Sequence, residues 1–443
     1  MQDHECEYKQ RVIELEARVS ELETALKMAL QKIEELTAEL AKYKKPPKNS
    51  SNSGTPASQD PYRKYPKREK SSRSNGGQSG HKGHHRPCVE KPDEIEYLYP
   101  EHCLYCKGEH LIPLADWHES CQEVDIPPIQ PVVKEYRACW SKCATCGKKS
   151  KAQLPGHLNP PVQLGPRITA LTGYLKVCHH LSHQRISQLF SDVLGLSISQ
   201  GSVENHLQRL SFNLSSTIES IRQALRTSWI VGSDETRNRI NGKNGYTWVF
   251  HTQAVCLFVS TGTRSYEVIE KVFGEQFPLV WVSDRYNAQL KVPCQHQLCL
   301  VHIVRNLQYA IDSEQSAWAH ALQTLLRETM HFRKQHADNY DPLEPNTFRH
   351  IKRFEEKLLQ LFTHPPPQEE ERKLFQGLLA RQKQLLYFLH DPHVPFENNA
   401  SERALRNRVI HRKVIGGFRM MHGSQAFDTI SSDLPLKIQA ISN

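Results

Sequence analysis

Three acids in distinct settings carry the most pointed chemistry of this sequence. Trp229-Ile-Val-Gly-Ser-Asp234-Glu235-Thr236 reads as a short apolar strand ending in carboxylates. Leu279-Val-Trp-Val-Ser-Asp284 reads as a second buried strand, also ending in an acid. On adjacent strands the two tips would lie close together, and like charges so near each other hold one carboxyl protonated unless a cation intervenes. Mg²⁺ typically takes one or two carboxylates plus phosphate oxygens. Two such ions about 3.5–4 Å apart activate an attacking oxygen and stabilise a leaving one. A third acid normally completes the set, and Glu402 in Pro395-Phe-Glu-Asn-Asn-Ala-Ser-Glu402-Arg403-Ala-Leu-Arg406 is the candidate. There Asn398 or Asn399 can cap a helix, which puts Glu402 in its first turns and Arg406 one turn on. Glu235 competes with Asp234, because neighbours on a strand face opposite sides and only one can join the site. Any one of these acids alone reads as a solvated strand end or a helix-dipole partner. Together they point to Mg²⁺- or Mn²⁺-dependent phosphoryl transfer using two ions.

A different metal chemistry lies upstream. Cys103-Leu-Tyr-Cys106 is answered by Cys143-Ala-Thr-Cys146, and two such knuckles can close a tetrahedral Zn²⁺ site. Residues 107 to 142 separate them, a longer gap than the commonest spacing of about 15–20. The intervening run from Trp117 to Tyr136 predicts an inserted β-hairpin. All four ligands would be thiolates, so the site would be structural. Cys178, His179, His180 and His183 do not share one helical face and read as packing and surface residues. Cys294, His296, Cys299 and His302 suggest a second zinc site only weakly.

These groups need elements to hold them. From Tyr8 to Tyr43 apolar residues recur at alternating steps of four and three, with Val12, Val19, Leu26, Ile33 and Leu40 at the a positions. A parallel dimer is the expected assembly. Pro46 and Pro47 stop that helix. Between Lys44 and Arg86 eleven basic residues face only Asp60 and Glu69 in a Ser, Asn, Gly and Pro context. Such a tract cannot fold alone and would follow a phosphate backbone, or serve as a solubilising linker. Helical patterns fill residues 161 to 225, with a glycine turn at Gly195 that fits a helix-turn-helix. Strands and hairpins follow from Trp229. The formal charge of +9 favours a polyanionic partner. The polar start, with no apolar leader after it, and the lack of a long apolar run predict a cytoplasmic protein with no membrane partner.

The heptads, Gly76 to Arg86, the paired knuckles, Asp234-Glu-Thr, Val282-Ser-Asp284, Cys299-Leu-Val-His302 and Asn398-Asn-Ala-Ser-Glu-Arg-Ala-Leu-Arg406 together resemble one family. It is the insertion-sequence-sixty-six family of bacterial transposases, and the resemblance reaches to about Phe427. It selects Asp234 over Glu235 and implies a multidomain α+β chain with a ribonuclease-H-like core and an Asp234, Asp284, Glu402 triad. The implied parts are a coiled coil (1–45), a basic disordered linker (46–92), a zinc-binding β domain (93–155) and a helix-turn-helix-like region (156–226). The core begins at 227–302, is interrupted by a helical insertion (303–394), and ends with a helix and short C-terminus (395–443). The implied activity is cleavage at the ends of an insertion sequence, then joining of the freed 3′-hydroxyl to target DNA. Lys82, Arg86, His302, Asn399, Arg403 and Arg406 are the expected DNA-contacting residues, with Arg408, Arg412 and Lys413 reaching phosphate nearby. His302 could instead support a metal ligand. Element ends, target DNA and accessory transposition proteins are the implied partners, in a nucleoid-associated setting. Three rivals use parts of the same features: a catalytically inactive DNA-binding regulator, a ribonuclease-H-type nuclease without joining, and a coiled-coil assembly protein. The family pattern also leads one to expect a longer tail than Asp428 to Asn443, which contains Pro435 and little periodicity and reads as a shortened end.

Overall fold

The structure, a computed structural model, describes residues 2–43, 47–53, 60, 80–82, 86–114, 119–127, 129–158 and 162–441. The chain divides into two compact units. The larger comprises Met1–Lys64, Leu164–Ser182 and Val203–Asn443; the smaller comprises Tyr65–Gln163 and His183–Ser202.

The heptad pattern forms a single helix, α1 (Gln2–Tyr43), whose Leu15, Val19, Leu22, Leu26, Ile33 and Leu36 are all exposed. The expected unstructured linker is partly wrong. Residues 47–53 form a polar turn in which Asn49 Oδ1 accepts from the Ser51 and Asn52 N–H groups at 2.8 and 3.1 Å. Asn52 is buried and donates to Asp312 at 3.2 Å, while the Lys48 ammonium stands 5.1 Å from the Tyr309 ring centre. Side-chain and backbone hydrogen bonds here replace the apolar burial that the composition lacks. Most of the Gly76 to His84 run lies outside the described residues.

In the smaller unit the two knuckles adopt the same turn. Cys103 N–H donates to Gly108 O and Lys107 N–H to Cys103 O, at 2.8 and 2.9 Å. Cys143 N–H donates to Lys148 O and Gly147 N–H to Cys143 O at the same distances. Lys107 and Gly147 both take the left-handed conformation that closes each turn. The hairpin is not where the sequence suggested. Its strands, β1 (Trp140–Lys142) and β2 (Lys149–Lys151), flank the second knuckle, and the described part of 117–136 contains no strand. The knuckle turn itself is the hairpin loop.

Next come α2 (Pro166–Val177), α3 (His183–Leu194), α4 (Gln200–Asn213) and α5 (Ser215–Arg226). The expected helix, turn and helix are α3, Gly195 at φ 61° and α4. Then follow β3 (Ile230–Ile240), β4 (Lys243–His251), β5 (Cys256–Thr261), α6 (Glu267–Phe273), β6 (Val280–Ser283) and β7 (Gln295–Leu298). Their order in the sheet is β5-β4-β3-β6-β7, with β3, β4 and β5 antiparallel and β6 and β7 parallel to β3. Asn241 and Gly242, both at positive φ, make the two-residue turn that suits a twisted hairpin.

Helices α7 (Leu300–Glu314), α8 (Ala317–Gln335), α9 (Pro345–Leu361) and α10 (Glu369–Leu379) pack their apolar faces into one core with Val280, Val282 and Leu298 of the sheet. The chain then returns through α11 (Asn399–Ile415) and α12 (Met421–Ile441). One sheet face packs Trp248, Phe250 and Trp281 against Ile221 and Leu225 of α5 and Phe273 of α6. The opposite face sets Val249 and Phe258 against Leu405 of α11.

The end is helical although its sequence shows little periodicity. Helix α12 continues past Phe427, and its Ile430, Ser431 and Ser432 are buried. Asp428 accepts from Ser260 N–H and Oγ of β5, and Ser432 Oγ accepts from Phe258 N–H at 2.9 Å. Polar residues on the buried face hid the helical period, because here they pair with a sheet edge. Among the described residues no helix is long and apolar enough to cross a membrane.

Candidate active site

Parallel pairing of β3 and β6 aligns Gly232 with Val282. Two residues further along stand Asp234, within β3, and Asp284, just past β6, level with one another where the pairing of these two strands ends. Gly232, Asp234 and Val249 share the face that α11 covers, since side chains alternate along a strand. Glu402 lies in the first turn of α11, on that side. The face opposite takes Glu235. Its buried carboxylate receives Arg264 Nε at 2.7 Å and Gln289 Nε2 at 2.6 Å, and pairs with a second guanidinium nitrogen of Arg264. Arg264 in turn lies 3.6 Å over the Tyr286 ring, and the Tyr286 hydroxyl donates to Arg264 O.

Among the described residues Asp234 has no comparable partner. Burial pushes its carboxyl well above the usual carboxylate range, Glu235, Asp284 and Glu402 push it further, and a hydrogen bond from Glu235 N–H opposes them. Asp284 Oδ1 accepts Tyr286 N–H at 2.8 Å, which fixes the strand end. Glu402 Oε1 stands 3.6 Å from His302 Nε2, at the start of α7. The His302 Nδ1 atom is buried with no hydrogen-bond partner among the described residues.

Donors of this kind suit Mg²⁺ or Mn²⁺: hard carboxylate oxygens near one another, the acids around Asp234 raising its carboxyl where a cation would lower it. Among the described residues no three His, Cys, Asp or Glu side chains form a group that could hold one ion. Mg²⁺ asks for less, taking one or two carboxylates and completing its shell with water and phosphate. The four knuckle cysteines likewise form two pairs and not one group. Within each pair, backbone N–H groups point at the first sulfur; those of Cys146 and Thr145 lower the Cys143 thiol to about 7, and those of Cys106 and Tyr105 lower Cys103. The weak second zinc reading fails on geometry, since His296 Nε2 donates to Val292 O at 2.8 Å and Cys299 receives Asn398 N–H at 3.3 Å.

Around the acids, Asn399 is half-buried, while Arg403 and Arg406 are exposed on α11. Lys82 and Arg86 are exposed in the smaller unit. Arg408 is a correction. It is buried, paired with Asp428 and lodged between the Phe427 and Phe258 rings at 4.2 and 4.9 Å, so it cannot reach a phosphate. Arg412 donates to Arg237 O. Sequence reasoning also missed Arg264, Gln289 and His251. The one signal for His251 was Gly232 within an apolar strand, which marks a close approach of another group.

The profile of the transposase IS66 family matches residues 161–426, well over half of the chain. The chain belongs to that family. Membership makes its function transposition-related and DNA its partner. Residues 5–87 match a further family, of unknown function (DUF6444). No curated protein gives a significant match to the sequence.

Proposed function

We propose that this chain is a DDE transposase that cleaves DNA at the ends of an insertion sequence and joins them to a target. Asp234, Asp284 and Glu402 would hold two Mg²⁺ or Mn²⁺ ions. The observation that carries this reading is the alignment of Asp234, within β3, with Asp284, just past β6, under a helix that brings a third acid; among the described residues no basic side chain pairs with Asp234 as Arg264 pairs with Glu235. The five-strand order supports a ribonuclease-H-like core interrupted by the α7 to α10 insertion.

When bound, the ions would activate the attacking oxygen and offset charge on the leaving one. The chain's own groups do the rest. Water attacks the phosphodiester at the element's end, leaving a 3′-hydroxyl, which then displaces a 3′-oxygen of the target strand. Arg403 and Arg406, exposed one turn apart on α11, would bind flanking phosphates. Asn399 would add a polar contact at the helix N-terminus, where the backbone favours anions. His302 would steady Glu402 from the side, its DNA-contacting role giving way to that contact. Lys82 and Arg86, in the basic tract, would track the DNA backbone. Cys103, Cys106, Cys143 and Cys146 would hold one structural Zn²⁺, each knuckle already shaped for thiolates. The exposed α1 seam would pair protomers, giving a dimer or higher oligomer on DNA at the bacterial nucleoid.

The test is an end-cleavage and strand-transfer assay on DNA carrying the element's own ends, with wild type and Asp284→Asn. Cleavage and joining by the wild type alone are expected. Cleavage without joining would make the protein a nuclease; DNA binding without cleavage by either protein would make it a regulator.

A further inference from the structure

The start of α11 is held by a hydrogen-bonded chain that crosses the sheet. His251, the last residue of β4, stands with Nε2 2.8 Å from Ser401 Oγ. Ser401 Oγ donates to Asn398 Oδ1 at 2.7 Å, and Asn398 Nδ2 donates to Ser233 O of β3 at 2.7 Å. Asn398 N–H donates to Cys299 Sγ at 3.3 Å, just before α7. Ser401 is fully buried and Asn398 nearly so. The Asn398 side chain therefore does not cap α11 in the usual way; it bonds across to β3.

Proton counting sets the roles. Ser401 spends its only O–H on Asn398, so His251 must donate to Ser401 through Nε2–H. Its Nδ1 lies 3.4 Å from Thr252 O, too long for a strong second bond, and burial disfavours the charged ring. His251 is thus held neutral in one tautomer.

Space for this ring comes from Gly232. A Cβ there would collide with His251 Nε2, lie 2.7 Å from its Cε1 and sit 3.1 Å from Asn398 Oδ1. Gly232 is also the residue aligned with Val282, two before Asp234. The absent side chain lets a β4 residue reach under β3 to the helix that bears Glu402.

We infer that His251 is a positioning residue for Glu402, acting through Ser401 and Asn398 to set the third acid against Asp234 and Asp284. This rests on the reading of Glu402 as a metal-binding acid. The chain ties Ser401, the neighbour of Glu402, to the backbone one residue before Asp234. Losing it frees the first turn of α11 to tilt without removing any carboxylate. Groups that orient a metal ligand are commonly worth about 10–100-fold in metal affinity or activity.

The experiment is a Mn²⁺ titration of the full-length protein, free ion read by electron paramagnetic resonance, for wild type, His251→Ala, His251→Gln, Gly232→Ala and Asp284→Asn. His251→Ala and Gly232→Ala should each raise half-saturation about tenfold or more. His251→Gln keeps an N–H near the Nε2 position and should recover to within about threefold of wild type. Loss of binding in Asp284→Asn with wild-type binding in His251→Ala overturns the role of His251 alone. So does His251→Gln binding as weakly as His251→Ala while its circular dichroism matches wild type. Wild-type binding in Asp284→Asn overturns the three-acid reading, and this inference with it.

Discussion

Helix α11 lies beside two aspartates, half-buried Asp234 and buried Asp428, and the molecule treats them in opposite ways. Near its N-terminus Asp234 is surrounded by Glu235, Asp284 and Glu402, and the charges acting most strongly on it are acids. Two turns further on, Asp428 meets Arg408, with Ser260 supplying both an N–H and a hydroxyl. Burial raises both carboxyls, but at Asp428 the guanidinium pulls back. Arg408 bears the same penalty and is drawn down to about 10. A closed pair like this fixes the helix on the sheet. An uncompensated cluster stores repulsion that a cation would relieve, and that imbalance marks the candidate site.

The largest expected effect breaks the closed pair. Arg408→Ala leaves Asp428 buried without a cation and should destabilise the larger unit by about 3–5 kcal/mol in urea melts. Arg408→Met with Asp428→Leu, which removes both charges, should recover most of that loss. A smaller effect is expected from Arg264→Ala, which strands the buried Glu235 while water reaches the half-exposed Arg264 position. About 2 kcal/mol should be lost, measured the same way.

His411 extends the contrast to pH. Its ring lies against Phe418 and Phe427, at 4.6 and 4.3 Å, and burial, Lys176, Arg408 and His180 lower it to about 2. In the unfolded chain the same group titrates near 6.5. The unfolded state therefore binds the extra proton between those values, and stability is lost as pH falls below about 6.5. At pH 5 the share owed to His411 is about 2 kcal/mol. His411→Phe should show that gain over wild type at pH 5 and little of it at pH 8.

Asp234→Asn should give the smallest change, again a gain, but with the opposite dependence on pH. Its raised folded value means stability falls as pH rises from 3.8 toward that value, so removing the charge stabilises the neutral protein. A rise of about 2–4 °C in melting temperature per kcal/mol relieved is expected. Mn²⁺ should raise the wild-type melting temperature and leave the variant nearly unchanged.

Legibility followed the kind of constraint at each place. The strands bearing Asp234 and Asp284 could be read from their apolar runs, and β6 ends at its acid as expected; β3 does not, running on through Asp234 to Ile240 because β4 pairs with its polar half. Heptads made α1 plain. What stayed hidden was held by polar contacts with no period. Asp428 and Ser432 looked like the residues of a loose end until β5 supplied their partners. Arg408 looked like a phosphate ligand because nothing in one dimension showed Asp428 folding back on it. Asn398 looked like a helix cap, and its bond to Ser233 O exists only once β3 lies beside α11. The choice between Asp234 and Glu235 was open from strand alternation alone. Arg264, twenty-nine positions on, engages Glu235 and leaves Asp234 facing the other acids.

The most direct test of the central claim replaces the proposed oxygen ligand of Asp284 with sulfur. Asp284→Cys should lose end cleavage in Mg²⁺ and regain it in Mn²⁺, which accepts a thiolate more readily. Equal activity of that variant in both ions, or wild-type cleavage that needs no divalent ion, would contradict a metal site built on Asp284.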